Sequence, residues 1–341
     1  MDKQASLESE ATIIGSFALD IAKTFEKKGL DVGALFKECG FPEVIRINPS
    51  ERISSLRFYQ LFQRAIEISG NPYLGLECGK HISPVALHAL GYSLTASVTL
   101  RDFVERLARY YIVVSNNAVM EIKESKEHLV ITMDIKVLDY TYQTHDCQAA
   151  FLVQFMRMLF RDEFNPSRIC LLRDCPEQGD GPFTEYFRCP VEFASEKFQI
   201  YLPIEKCDTP LFGGNRGLAA LNEKIVADYI IAHDQDDIVT RVNALIMDNI
   251  SSGKMSKKLI AEQLHMTERT LHNRLIEKET TFQELLDNIR SKLAIGYLER
   301  KTLSIGEITF LLGFSDTSVF SKAFKRWFEI TPTEYKKKHN L

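Results

Sequence analysis

"IGEITFLLGFSDTSVFSKAFKRWF", Ile305 to Phe328, decides how the last third of this chain is read. Ser304 and Glu307 stand three apart, as a capping box requires, at the start of a short apolar helix. Gly313 supplies the positive φ of a tight turn, and Ser315 or Asp316 caps a second helix. On that helix Phe320, Phe324, Trp327 and Phe328 recur at helical spacing and are assigned to the core, while Lys322, Lys325 and Arg326 fall on other faces. Short helix, turn and capped second helix together follow helix-turn-helix grammar.

The same grammar recurs about 48 residues earlier in "SKKLIAEQLHMTERTLHNRL". There Ala261 faces the partner helix, Leu264 and Met266 flank the turn, and Leu271 and Leu275 lie on the second helix. His265 stands at the turn, a residue type enriched in left-handed backbone. Two further capping boxes, Thr281/Glu284 and Thr331/Glu334, start other helices, the last with Pro332 at its first position. Between the duplicated segments, "TTFQELLDNIRSKLAIGYLER" predicts a helix of about 20 residues, roughly 30 Å long. Such a rod could set two recognition helices in adjacent major grooves, which lie about 34 Å apart, without dimerisation.

The charge is uneven. From Ile238 onward 17 Lys and Arg face 12 Asp and Glu, a net of +5, whereas the preceding residues carry 25 against 34, a net of −9. A basic end on an acidic body points to a polyanion met by the C-terminal third alone. Together with the cysteines, all of which precede residue 215, this places a boundary near 235–238. Those cysteines, Cys39, Cys78, Cys147, Cys170, Cys175, Cys189 and Cys207, are odd in number and irregular in spacing, unlike a disulfide framework. No CxxC or HxxxH pattern supports a metal site, and no cofactor motif occurs. Apolar runs such as "YYIVV" are too short for a membrane span, and "MDKQASLESEATIIGSF" lacks a signal-like apolar region, so a cytoplasmic protein is expected.

The first two thirds mix periodicities. "FALDIAKTFEKKGL", "SSLRFYQLFQRAIEIS" with Ser54 as cap, and "TLRDFVERLARYY" with Thr99 as cap predict helices. "AVMEIKE" and "EHLVITMDIK" predict a hairpin, and "RICLLR" and "FQIYLP" two more strands. These add up to an α+β domain with a largely antiparallel sheet, closed by "DTPLFGGNRG" and followed by the helix "LAALNEKIVADYIIAHD". The expected organisation is a regulatory domain over 1–215, a linker helix over 216–236, and an all-α domain over 237–341 with helix-turn-helix segments at about 256–277 and 304–328.

Residues from about 237 to 339 resemble the DNA-binding domain of the AraC/XylS family of bacterial transcription regulators. "IGEITFLLGFSDTSVFSKAFKRWFEITPTEY" carries the resemblance most specifically. Thr309 departs where the family usually has Ala, His265 where it has Gly, and Gly296 interrupts the linking helix. "LHALGYSLTASVTLRDFVERLARYY" and "FRCPVEFASEKFQIYLP" are similar to the N-terminal domain of the ornithine-utilisation and VirS-type regulators, which implies an α+β sensor rather than a cupin barrel. The resemblance implies a regulator of transcription, an activator controlled by a small molecule. Its implied partners are double-stranded DNA, RNA polymerase and an effector not named by the sequence; a homodimer stays open, and no membrane partner is expected.

With Leu271 and Leu275 facing inward, Arg269, His272 and Asn273 project outward, and matching to the family selects the same three. Arg can bridge guanine O6 and N7, and Asn can bridge adenine N6 and N7. On the second helix Thr317, Ser318 and Lys322 face outward near its start, while Lys325 and Arg326 lie further along, where phosphates or solvent are the expected surroundings. Two other readings remain at this level. The first domain could serve only dimerisation or protein contacts. Alternatively, "THDCQ" at Thr144–Gln148 could be catalytic, although adjacent helical residues point apart and cannot form a triad. No enzyme activity is expected.

Overall fold

The computed structural model describes residues 11–41, 51–135, 141–160, 164–233, 238–250, 255–299 and 303–339. The chain divides into two compact units, Met1–Val226 and Ala227–Leu341, and the division falls inside the helix Arg216–His233. Of the boundary expected at 235–238, residues 235–237 lie outside the described residues.

The first unit opens with β1 (Thr12–Ile14), α1 (Gly15–Lys27), α2 (Val32–Glu38), β2 (Arg52–Ser54) and α3 (Ser55–Ser69). Then come α4 (Leu74–Gly79), α5 (Ala89–Thr95), α6 (Leu100–Tyr110), β3 (Ala118–Glu124), β4 (His128–Ile135) and α7 (Gln143–Phe160). It ends with β5 (Arg168–Cys170), α8 (Gly181–Phe187), β6 (Val191–Glu192), β7 (Phe198–Pro203), α9 (Ile204–Cys207) and the start of α10 (Arg216–His233). The main sheet runs β3-β4-β7-β5-β6, antiparallel except for the β5/β6 edge. Alternation sets its two faces: Met120, Leu129, Ile131, Met133, Phe198, Ile200 and Leu202 are buried, whereas Glu121, Lys123 and Asp134 are exposed.

The hairpin forms as the alternating pattern predicts, with Ala118 opposite Ile135 and Glu124 opposite Leu129. Thr99 caps α6 by accepting from the Asp102 amide at 3.1 Å. Ser54 corrects its expectation: it precedes α3 but accepts no capping hydrogen bond. It is held in the β1/β2 pair opposite Thr12, and the Ser55 amide instead donates to the Ala11 carbonyl at 2.9 Å.

In α7, His145, Asp146 and Cys147 are all buried. Asp146 pairs with Arg173 at 2.7 Å, and the His145 ring lies 4.9 Å from that of Phe198. Burial lowers His145 to about 4 and raises the Cys147 thiol well above its ordinary range. Arg106 ties the beginning of α10 to the sheet-bearing unit, reaching Glu223 at 2.5 Å as well as Asp102 and Ser97. Ser93 adds a bond to the Ala219 carbonyl at 3.2 Å.

Helices make up the described part of the second unit: α11 (Ile238–Asn249), α12 (Lys257–Gln263), α13 (Glu268–Glu277), α14 (Phe282–Glu299), α15 (Ile305–Leu311), α16 (Thr317–Phe328) and α17 (Pro332–Lys338). They enclose two apolar cores. Val242, Leu245, Ile246, Ile260, Leu264, Leu271 and Leu275 build the first; Ile308, Leu312, Phe314, Phe320 and Phe324 build the second. Helix α14 enters both, giving Leu285 and Leu286 to the first and Ala294 and Leu298 to the second. Trp327 and Phe328 are half-buried against the second core, not sealed within it.

Candidate nucleic-acid interface

Each half of the second unit presents a short helix, a turn and a longer helix, and local chemistry fixes both turns. His265 adopts φ 56° and Gly313 φ 69°, the left-handed conformation that each turn needs. Thr267 caps α13 by accepting from the Thr270 amide at 3.1 Å. Asp316, rather than Ser315, caps α16: its carboxylate accepts from the Ser318 and Val319 amides at 2.8 and 3.0 Å. Hydrogen bonds from the Ser318 hydroxyl and the Val319 amide hold the Asp316 carboxyl below its usual range. Thr309 is fully buried, and its hydroxyl donates to the Ile305 carbonyl at 2.7 Å, so the departure from Ala leaves no orphan group.

On α13, Leu271 and Leu275 are sealed in the core while Arg269, His272 and Asn273 are exposed, with no hydrogen bond or ion pair to another described residue. At 100° per residue, Arg269 and Asn273 point most directly away from the two leucines, and His272 flanks them. On α16, Phe320, Ala323 and Phe324 are buried and Thr317, Ser318, Lys322, Lys325 and Arg326 are exposed. Two of these already have internal work. The Ser318 hydroxyl donates to Asp316 at 2.6 Å, and Arg326 pairs with Asp287 of α14 at 2.8 Å.

Arg290 is a positioning residue that the sequence reading missed. From α14 its Nε donates to the Leu312 carbonyl at 2.9 Å and its Nη2 to the Gly313 carbonyl at 3.1 Å, while the guanidinium lies 4.2 Å from the centre of the Phe314 ring. Burial lowers its pKa from the ordinary arginine value. It locks the turn before α16 to the helix shared by both cores. No local pattern announces it, because its partners lie 22 and 23 residues away.

The second unit therefore carries exposed polar side chains on two core-anchored helices, an arrangement suited to a helix-turn-helix domain. Comparison with known proteins agrees. Residues 29–211 match the arabinose-binding N-terminal domain of AraC transcription regulators, and residues 260–338 match a helix-turn-helix domain. The chain belongs to the AraC family of transcription regulators. It is 26% identical over 298 residues to the ornithine utilization regulator of Pseudomonas aeruginosa, covering 86% of this chain and 87% of that one. It is also 23% identical over 259 residues to the regulator VirS of Mycobacterium tuberculosis, covering 75% and 74%. The crystal structure of the Pseudomonas aeruginosa transcriptional regulator CdpR aligns at 23% identity with a TM-score of 0.42, over 81% of this chain and 90% of that one.

Proposed function

We propose that the second unit reads a two-part duplex site with two helix-turn-helix motifs, α13 and α16 entering successive major grooves. In this reading the first unit binds a small molecule that switches the protein as an activator contacting RNA polymerase. The observation that carries the reading part is the sharing of α14 by both cores. Its 18 residues span about 27 Å, of the same order as the roughly 34 Å groove repeat. Arg269, Asn273 and Lys322 are the base-reading candidates, with His272, Thr317 and Ser318 beside them; Lys325 and Arg326 serve phosphates, Arg326 after leaving Asp287.

A cleft in the first unit supports the sensing part. Its volume is about 490 Å³, within the size range of small-molecule sites, and its lining includes Thr132, Met133, His145, Glu196, Lys197 and Phe198. The name of the ornithine utilization regulator makes ornithine the first compound to try. A second reading, in which the first unit serves dimerisation, is favoured by the apolar stripe Leu218, Leu221 and Ile225 on α10, 49%, 61% and 46% exposed.

Removing residues 1–215 tests the sensing reading. With a sensing first unit, the shortened protein keeps its operator but loses every effector response in a reporter assay. A surviving response would move the sensor into the second unit. Thermal shift of the full chain with amino acids, acyl chains and aromatic acids identifies the ligand, since a specific one stabilises by RT ln(1 + [L]/Kd).

A further inference from the structure

The exposed face of α13 holds one side chain that hydrogen-bond chemistry does not explain. Ile276 is 51% exposed, although Leu271 and Leu275 of the same helix are fully buried. A lone surface isoleucine is ordinary; what sets this one apart is its direction. It follows Arg269 by seven residues, so at 100° per residue the two point within about 20° of each other. Asn273 lies between them on the same stripe, on the side of the helix opposite the core.

We infer that Ile276 packs against the C5-methyl group of a thymine in the major groove, which makes it a specificity-determining residue of the first reading helix. This rests on the DNA-reading assignment made above. An aliphatic side chain at the end of a base-reading stripe can recognise only an apolar group, and the thymine methyl is the one apolar group that base edges present in the major groove. The spacing also places the contact. Seven residues rise about 10.5 Å along the helix axis, or about three base-pair steps of 3.4 Å. The thymine should therefore lie about three base pairs from the position that Arg269 reads.

The test uses the full chain and a duplex selected from random sequence, with each thymine replaced in turn by deoxyuridine. That replacement removes one methyl group and leaves base pairing intact. The wild-type protein should lose about fourfold in affinity at one position, the size expected for one buried methyl-sized group. Ile276→Ala should bind the thymine and deoxyuridine duplexes equally at that position, and Ile276→Val should keep part of the difference. Unchanged thermal midpoints would show that both variants fold. Wild-type indifference to every replacement overturns the proposal, as does a full thymine preference that survives in Ile276→Ala. Absence of any sequence preference, visible with unmodified duplexes before deoxyuridine is introduced, would overturn the DNA-reading assignment and this inference with it.

Discussion

Arg269 and Lys325 are both exposed cations on candidate reading helices, and their chemistry separates them. A guanidinium on the outermost stripe of α13 can bridge a guanine edge. In the proposed reading, a lysine further along α16 would meet phosphates as a point charge. Arg269→Ala should cost about 1–3 kcal/mol on the preferred site and relax preference at one base pair. Lys325→Ala should weaken all duplexes alike and flatten the salt dependence. Binding assays on a panel of single-base variants distinguish the outcomes, and equal uniform losses would make Arg269 a phosphate contact.

In the first unit, Asp146 gives a pH test. Burial raises its carboxyl to about 7, with Arg173 opposing the rise. An unfolded carboxyl titrates near 4, so between roughly pH 4 and 7 the folded chain holds a proton that the unfolded chain has lost. This contribution to stability is complete below about pH 4 and disappears as the pH climbs to 7. Asp146→Asn removes it, so wild-type stability relative to the variant should fall across that window in denaturant titrations. His145 shifts the opposite way but is common to both proteins and cancels from the difference. A flat difference would mean that Asp146 is ionised throughout.

Among the elements, two glycines make opposite predictions. Gly313 combines φ 69° with a position where a Cβ would sit 2.0 Å from the Ile250 carbonyl oxygen. Gly313→Ala therefore pays left-handed strain of about 1–2 kcal/mol plus a backbone clash, and should sharply lower the unfolding midpoint. Gly296 lies inside α14 with nothing within 4 Å of a built Cβ, so Gly296→Ala should stabilise by about 1 kcal/mol. Equal effects in denaturant titrations would contradict this assignment of the turn and the rod. The same elements show what a sequence can disclose. The capping boxes Ser304/Glu307 and Thr331/Glu334 and the turns at His265 and Gly313 were legible, because each depends on residues within a few positions of one another. Arg290 on the Gly313 turn and Asp287 with Arg326 were not, since their partners are 22 to 39 residues apart and only the folded chain brings them together. The two-residue parallel strand Val191–Glu192 is too short for any alternation to show. Ser54 looked like a cap because propensity is local, and strand pairing overrode it.

For the whole molecule, the family and the division into a mixed first unit and a helical second unit were readable in the duplicated pattern and the shift in charge. The candidate reading stripe was readable too, except for Ile276: periodicity marks the side away from the core but does not say that an apolar side chain stays exposed there. The proposal that two helices fixed to one shared rod read two adjacent grooves concerns the molecule as a unit. Selection of the full chain from a random duplex library at physiological salt tests it most directly. Two conserved blocks centred about 10–10.5 base pairs apart are the predicted result. Enrichment of a single short block, or none, would contradict it.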